Sequence, residues 1–222
     1  MDPLKKLFYE KSSQARIELK EIVKNYGELK ADEVNIGQII GGSRGIKTMI
    51  WDTSSLDANE GIRFRGYNIP QLREMLPKPD GAREPLPEGL FWLMLVGEVP
   101  TEEQVKWLSA EWGRRAVVDD SVFKVIDATS LDTHPMTQFT IAIMAMQQNS
   151  IFAKKYDEGF NKDEYWDAMY EDSMNLIARL PIIASYIFRR VYKGGAPAAY
   201  DPSKDWAANY ASMLGFENGD FT

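Results

Sequence analysis

The chain contains no cysteine and a single histidine, His134, among its 222 residues. A cysteine nucleophile and a thiolate metal site are therefore excluded within these residues. Chemistry that needs two histidines is excluded as well. Because histidine is the usual general acid or base of enzymes that work near neutral pH, the chain is poorly equipped for such catalysis by itself.

Long apolar runs and an excess of basic residues are also missing. The longest apolar runs, 90–96 and 141–146, are far shorter than the roughly 18 residues that span a bilayer, so no membrane segment is expected. The net charge is −7, from 26 basic and 33 acidic residues. This balance argues against nucleic acid as a partner, although a small basic pocket for an anionic ligand remains compatible with it.

The N-terminus gives an expectation about cellular location. Residues 1–11 show neither an apolar signal core nor the Arg/Ser-rich pattern of a presequence. A bacterial cytoplasmic protein is therefore the simplest interpretation. A mature protein of the mitochondrial matrix, with its presequence removed, is the alternative.

The patterns that are present predict an almost all-α fold. A hydrophobic content of 44%, with 12% aromatic residues, is typical of a globular chain. Short β-branched runs at 34–40 and 46–51 predict one small β-hairpin, or two short extended pieces, within 34–51, and residues 61–67 are expected to form a loop. Periodicity and helix-boundary signals predict helices at 15–26, 69–76, 88–96, 101–112, 135–148, 163–192 with a kink or restart at Pro181, and 206–214.

The segment from Gly41 to Gly45 is the first candidate binding site. It reads GGSRG, and a glycine-rich turn lets backbone N–H groups approach a phosphate. The guanidinium of Arg44 would add a planar, permanently charged donor. The pattern is short and matches neither a P-loop nor a dinucleotide fingerprint, so on the residues alone a plain tight turn with a surface arginine is the commoner meaning.

Three other residues could take part in binding or catalysis, but the sequence predicts structural roles for them. Arg63 and Arg65 could bind an anion together, but the better interpretation is that they hold their own segment by hydrogen bonds to carbonyls or to carboxylates such as Asp57 and Glu60. His134 precedes a proline that starts a helix. A histidine there more often caps the helix or hydrogen-bonds in the core than acts as a general base.

Residues 61–104 carry a resemblance to a known family. They read GIRFRGYNIPQLREMLPKPDGAREPLPEGLFWLMLVGEVPTEEQ, which is similar to citrate synthase of the type found in mitochondria and some bacteria. The resemblance implies an all-α homodimer, in which residues 1–222 form the N-terminal part of the large domain and the small domain is absent. It extends from about residue 14 to residue 216 and is strongest at 61–67, 85–104, 131–136 and 165–180.

The resemblance also implies a reaction and two binding residues. Citrate synthases condense acetyl-CoA with oxaloacetate and water to give citrate and coenzyme A in the tricarboxylic acid cycle. The resemblance thus implies that coenzyme A binds as part of a substrate, and that no cofactor or metal is permanently bound. Arg44 matches a family arginine that contacts the phosphates of coenzyme A. Lys162 matches a basic residue, arginine in animal members, that reaches the coenzyme A bound to the other subunit. Lysine keeps the charge but loses the bidentate fork, and a solvated surface lysine is the alternative for Lys162.

The catalytic residues of the family have no match in residues 1–222. No position corresponds to its two catalytic histidines, its aspartate or the arginines that bind oxaloacetate. The chain by itself is therefore expected to have no synthase activity. Two other functions remain open at this point: a 2-methylcitrate synthase, with propionyl-CoA as acyl donor, and a non-catalytic dimerisation or structural module on the same scaffold.

Overall fold

The computed structural model describes residues 2–42, 53–57, 59–197 and 199–216. Within these ranges the fold is dominated by helices, as predicted, with one small antiparallel sheet of strands β1 Ser54–Asp57, β2 Gly61–Phe64 and β3 Tyr67–Asn68 in the order β1-β2-β3. The helices are α1 Pro3–Tyr26, α2 Ile36–Ile40, α3 Ile69–Met75, α4 Pro87–Val96, α5 Glu102–Arg115, α6 Asp120–Asp127, α7 Pro135–Ala145, α8 Ile151–Glu158, α9 Tyr165–Phe188 and α10 Trp206–Leu214. Short 3-10 turns lie at Met146–Asn149 and Lys162–Glu164, and a π-helical turn, Arg189–Lys193, follows α9.

Contacts divide the chain into two compact units. The first consists of Met1–Met75 and Leu90–Val99, and the second of Leu76–Gly89 and Pro100–Thr222. The first unit contains α1, α2, α3, the sheet and most of α4. The second contains the beginning of α4 and helices α5 to α10.

The prediction of a β-hairpin or short extended pieces near 34–51 is wrong for the first half of this range. Ile36–Ile40 forms the short helix α2, because the Asn35 side chain accepts a hydrogen bond from the Gln38 N–H and the Gln38 side chain accepts one from the Asn35 N–H, both at 2.9 Å. This reciprocal capping box satisfies the first backbone donors of a helix. The second predicted strand, with Arg44 and the rest of residues 43–52, lies outside the described residues.

The prediction of a loop at residues 61–67 is also wrong, because this segment forms β2 and the start of β3. The two strands pair with Phe64 opposite Tyr67, which leaves a two-residue connection. In that connection Arg65 has a φ of 51° and Gly66 a φ of 88°. Two successive residues with positive φ are typical of a type I′ turn, whose twist matches that of the strands it joins.

The two arginines of this hairpin have the structural roles predicted for them. Arg65 donates from Nε to the Met94 carbonyl at 2.9 Å and from Nη2 to the Leu95 carbonyl at 3.2 Å. These carbonyls lie in the last turn of α4, where a cation is favoured by the unpaired C=O groups. Arg63 forms an ion pair with Glu60.

Helix boundaries depend on side-chain caps that periodicity does not detect. α1 begins at Pro3 rather than near residue 15, because the Asp2 side chain accepts a hydrogen bond from the Lys5 N–H. The helices α6 and α8 have no counterpart among the predicted helices. They are eight residues each and begin at caps formed by Asp119 and Ser150, respectively.

A buried apolar cluster of the second unit lies between α6, α7 and α9. Its side chains are buried and apolar, and α9 supplies the longest element, with 24 residues. The predicted kink or restart at Pro181 does not interrupt α9, which continues from Tyr165 to Phe188. The core cluster comprises Val122, Ile126, Ala142, Met146, Ile183 and Ile187.

Trp206 explains how α9 accommodates its proline. Pro181 has no N–H, so the carbonyl of Ile177, four residues earlier, loses its helical donor. The indole N–H of Trp206, the first residue of α10, donates to this Ile177 carbonyl at 3.1 Å. The interaction satisfies a carbonyl that would otherwise have no helical partner, and it connects α10 to α9.

The substitution Trp206→Phe should therefore lower the free energy of unfolding by about 1–3 kcal/mol, because the Ile177 carbonyl loses the indole donor. In the background Pro181→Ala the same substitution should cost about 1 kcal/mol less, because the alanine that replaces the proline brings a backbone N–H that can donate to Ile177. Urea unfolding followed by far-ultraviolet circular dichroism measures both costs. Equal costs in the two backgrounds would contradict the assignment of Trp206 as the substitute donor.

Candidate functional site

The first predicted binding residue, Arg44, lies outside the described residues. The segment that carries it is described only at its beginning. Gly41 is the C-cap of α2, and its N–H donates to the Gly37 carbonyl at 3.0 Å. Gly42 follows with a φ of 73°, a left-handed conformation that commonly ends a helix. A contact between Arg44 and a phosphate stays a prediction.

The second predicted binding residue, Lys162, begins the 3-10 turn Lys162–Glu164 directly before α9. The Asn161 side chain caps this turn by accepting a hydrogen bond from the Asp163 N–H at 3.0 Å. The Lys162 side chain is exposed. An anion can therefore approach its ammonium group from solvent without any rearrangement of the described residues.

The chain reversal between α8 and this turn depends on Gly159. This residue has a φ of 82° and a ψ of 44°, and its N–H donates to the Tyr156 carbonyl at 3.1 Å. The Phe160 N–H then donates to the Lys155 carbonyl at 3.2 Å. Such bonds behind a left-handed glycine end a helix and turn the chain back. They give the backbone that leads to Lys162 a defined path.

A cluster of four aromatic rings holds the α8–α9 connection against the two helices. Phe152 and Tyr156 come from α8, Phe160 from the connection, and Tyr165 from the first residue of α9. The Phe160 and Tyr165 rings lie 4.6 Å apart between centroids, and the Phe152 and Tyr165 rings 5.0 Å apart. Aromatic pairs at these separations add stabilisation beyond simple burial.

A second lysine beside this cluster is engaged in contacts, unlike the exposed Lys162. The Lys155 Nζ atom lies 3.4 Å from the Asp167 carboxylate and 5.8 Å from the centroid of the Phe160 ring. Its charge thus helps to join α8, the connection and α9. The structure therefore distinguishes Lys155, whose charge has a structural role, from Lys162, whose charge is open to solvent.

Lys162 lies in the second compact unit, whereas Arg44 lies outside the described residues. Within the described ranges, no three or more His, Cys, Asp or Glu side chains are placed to hold a metal ion.

His134 has the structural role that the sequence predicts. Its Nδ1 atom accepts a hydrogen bond from the Met136 N–H at 3.2 Å, which makes it the N-cap of α7. Pro135 occupies the first helical position, where its missing N–H costs nothing. The single histidine of the chain is thus used to begin a helix.

Sequence patterns do not reveal the buried polar network that follows α6. Gln138 is fully buried, and its amide donates to the Thr133 carbonyl at 2.7 Å. Arg190 donates to the Gln138 side chain at 2.8 Å and to the Thr129 carbonyl at 2.6 Å, and it lies 3.5 Å from the Asp127 carboxylate. The guanidinium thereby holds the α6–α7 connection, and its hydrogen-bonding capacity is largely used inside the protein.

The sequence patterns also miss a buried carboxylate. Glu88 is fully buried in the first turn of α4. It accepts hydrogen bonds from the Ser109 hydroxyl at 2.7 Å and from the Trp206 N–H at 3.2 Å. The only available signal is a lone acidic residue in an otherwise apolar helix, and that signal equally suits a solvated helix end.

Comparison with known proteins identifies the class. The family model described as citrate synthase, C-terminal domain, matches residues 42–220. The mitochondrial citrate synthase of Neurospora crassa is 49% identical over 219 residues, which are 98% of this chain and 47% of that protein. That of Xiphias gladius is 47% identical over 205 residues, 92% of this chain and 44% of that protein. The chain belongs to the citrate synthase family and spans about half the length of these relatives.

Solved structures agree with this assignment at the level of the fold. Citrate synthase from Pyrobaculum aerophilum has a TM-score of 0.65 and 21% identity, covering 82% of this chain and 43% of that one. The ternary complex of Thermoplasma acidophilum citrate synthase with carboxymethyl coenzyme A and oxaloacetate has a TM-score of 0.60 and 19% identity, covering 81% and 43%. The predicted all-α citrate synthase fold is therefore confirmed. No helix within the described ranges is long and apolar enough to cross a membrane.

The substitution Gly159→Ala should lower the free energy of unfolding by about 1–2 kcal/mol, the cost of placing an L side chain in the left-handed conformation. A Cβ atom there would meet no heavy atom within 4 Å, so the expected cost comes from the backbone alone. Gly159→Asn should cost less, because asparagine tolerates this conformation. Thermal or urea unfolding measures both, and equal destabilisation by the two variants would argue against backbone conformation as the cause.

Proposed function

We propose that the chain forms part of the large domain of a citrate synthase, which condenses acetyl-CoA with oxaloacetate and water to give citrate and coenzyme A. The observation that supports this most strongly is the 46–49% identity to mitochondrial citrate synthases across 98% of this chain. Identity of this extent includes the hairpin, the helices and their connections together. The named relatives give no support to 2-methylcitrate synthase or to a non-catalytic module.

In this proposal, residues 1–222 contribute to the coenzyme A site but not to the proton transfers of the reaction. The single histidine caps α7, and no cysteine is present. Enolisation of a thioester needs a positioned general base, and a ketone acceptor needs a donor that polarises its oxygen. The 222-residue chain alone is expected to lack synthase activity.

Arg44 and Lys162 are the proposed contacts to coenzyme A, whose phosphates carry several negative charges. A guanidinium can bind a phosphate through two parallel hydrogen bonds, whereas an ammonium acts as a point charge. Arg44 should therefore contribute more than Lys162. The exposure of Lys162 and the aromatic cluster that holds its connection support the second assignment.

A second copy of the chain is the proposed protein partner. α7 is apolar around most of its circumference, yet Met136 and Met144 are 61% and 70% exposed. On α9, Met169 is 56% exposed. A helix that is apolar on all sides is normally covered on all sides, so these exposed methionines support an interface. The mitochondrial names of the relatives favour the mitochondrial matrix as location over the bacterial cytoplasm.

A chimera tests the proposed activity directly. Residues 1–222 replace the corresponding half of the Neurospora crassa mitochondrial enzyme, and the release of free thiol from acetyl-CoA is followed with and without oxaloacetate. The chimera should release thiol only when oxaloacetate is present, and the 222-residue chain alone should release none. A folded chimera that lacks activity while the parent enzyme is active would contradict the proposed function.

Variants of the same chimera test the two binding residues. Arg44→Ala should raise the KM for acetyl-CoA by roughly tenfold to a hundredfold, the equivalent of about 1.5–3 kcal/mol for a charged hydrogen bond, with little change in the KM for oxaloacetate. Lys162→Ala should have a smaller effect in the same direction, and Lys162→Arg should restore or improve binding. Lys154→Ala, an exposed lysine of α8, is the matched control. An unchanged KM would remove the residue from the site.

A further inference from the structure

The carboxyl group of Glu88 lies in the second unit, where the start of α4 meets α5 and α10. It belongs to the first turn of α4, and its side chain is 0% exposed. Its Oε1 atom accepts from the Ser109 hydroxyl of α5 at 2.7 Å and from the Trp206 N–H, the first of α10, at 3.2 Å.

The two oxygens of this carboxyl group are in different situations. Oε1 accepts both hydrogen bonds, whereas Oε2 is buried and has no hydrogen-bond partner. Within the described residues, Glu88 makes no ion pair with a lysine or arginine. An ionised carboxylate that is buried without a cation carries a desolvation cost of several kcal/mol, and two hydrogen bonds offset only part of it.

The surroundings of Glu88 raise the pKa of its carboxyl group overall. Burial is the largest cause of this rise, and the nearby Asp205 carboxylate adds to it, whereas hydrogen bonding to Ser109, to the Glu88 backbone and to the Trp206 backbone lowers the pKa in part. Burial also raises the pKa of the Tyr200 phenol, and the Glu88 carboxyl adds to that rise. Both titratable neighbours are therefore acidic, and neither supplies a positive charge.

Other charged groups on the adjoining elements are engaged elsewhere. On α5, Arg115 pairs with Glu111 and with Glu171 of α9. Before α10, Asp201 accepts from the Ser203 hydroxyl and the Lys204 ammonium donates to Ser212. None of these contacts places a cation on Glu88.

The N-terminus of α4, which carries Glu88 in its first turn, and the N-terminus of α10 could both stabilise an anion at Glu88, but the pKa of the carboxyl is nevertheless raised. A helix N-terminus contributes roughly 0.3–2 kcal/mol to a nearby negative charge. Asp205 already caps α10 by accepting from the Ala208 N–H at 2.8 Å. The desolvation cost therefore outweighs the attraction of the helix ends.

We propose that Glu88 is a proton-dependent contact: as a neutral carboxylic acid it holds the start of α4, α5 and α10 together, and when it ionises the attachment of α10 loosens. The proton resides on Oε2, since Oε1 accepts both hydrogen bonds. The structural consequence falls on α10, because its first residue, Trp206, supplies both the N–H at Glu88 and the indole donor to Ile177 of α9. The proposal concerns this chain itself and does not require synthase activity.

The direction of the pH dependence follows from the raised pKa. At a pH below the ordinary glutamate range, Glu88 is protonated in both the folded and the unfolded chain, and the contact has its full strength. Between that range and the higher pKa of the folded state, only the unfolded chain ionises, so stability decreases as the pH rises. Above the folded-state pKa the carboxylate is ionised in both states, and the loss is complete.

The experiment is hydrogen exchange of the α10 amides in the 222-residue chain as a function of pH, corrected for the intrinsic exchange rate. In the wild type the opening constant of α10 should rise with pH, by at most about tenfold per pH unit, as release of one proton requires. Glu88→Gln keeps the shape and cannot ionise, so this rise should disappear. Glu158→Gln, at an exposed position in the last turn of α8, should behave like the wild type.

A measurement on the wild type alone covers the case in which Glu88→Gln does not fold. The glutamate carboxyl carbons are labelled with ¹³C and titrated by NMR, with Glu88 assigned by its contacts to Ser109 and Trp206. The proposal expects one buried glutamate that remains protonated after the exposed ones have ionised. Titration of Glu88 in the ordinary range, or an unchanged pH dependence of α10 in a folded Glu88→Gln variant, would overturn it.

Discussion

The second unit depends on the burial of one long helix, α9. Helices α5, α7, α8 and α10 all contact it, and its Met174, Ile183 and Ile187 side chains are at most 2% exposed. Burying a side chain of this size contributes roughly 1.5–3 kcal/mol, so this face supplies much of the driving force for assembly. The same helix contains a proline, and the Ile177 carbonyl that this proline leaves without a helical donor accepts a hydrogen bond from Trp206 of α10.

The buried polar groups determine how the connections between helices are held. Arg190 and the buried Gln138 fix the α6–α7 connection through backbone carbonyls, and Asp172 of α9 accepts from the Ser150 hydroxyl and the Ile151 N–H at the start of α8. A buried polar group without a partner costs about 1–3 kcal/mol, so the fully buried Gln138 permits few arrangements of the segments around it. Apolar packing brings the helices together, and these polar contacts restrict their register.

Family membership and the assignment of the binding residues rest on different kinds of evidence. Membership follows from identity across nearly the whole chain. The roles of Arg44 and Lys162 come from resemblance at single positions, because neither composition nor periodicity distinguishes an arginine that binds a phosphate from one on a plain turn. The structure adds that Lys162 is exposed on a well-held connection, whereas nearby Lys155 is paired. It thus separates two lysines that look alike in the sequence.

The sequence by itself determined the features that depend on neighbouring residues along the chain. The all-α class follows from helical periodicity, and α5 forms where the sequence predicts a helix at 101–112. The predictions for residues 36–40 and 61–67 are wrong because a capping box and a two-residue turn outweigh β-branched and loop-like composition. Only the tertiary structure decided which polar groups are buried and what they contact. Glu88 meets an N–H that lies 118 residues further along the chain, and no local pattern records a partner at that distance.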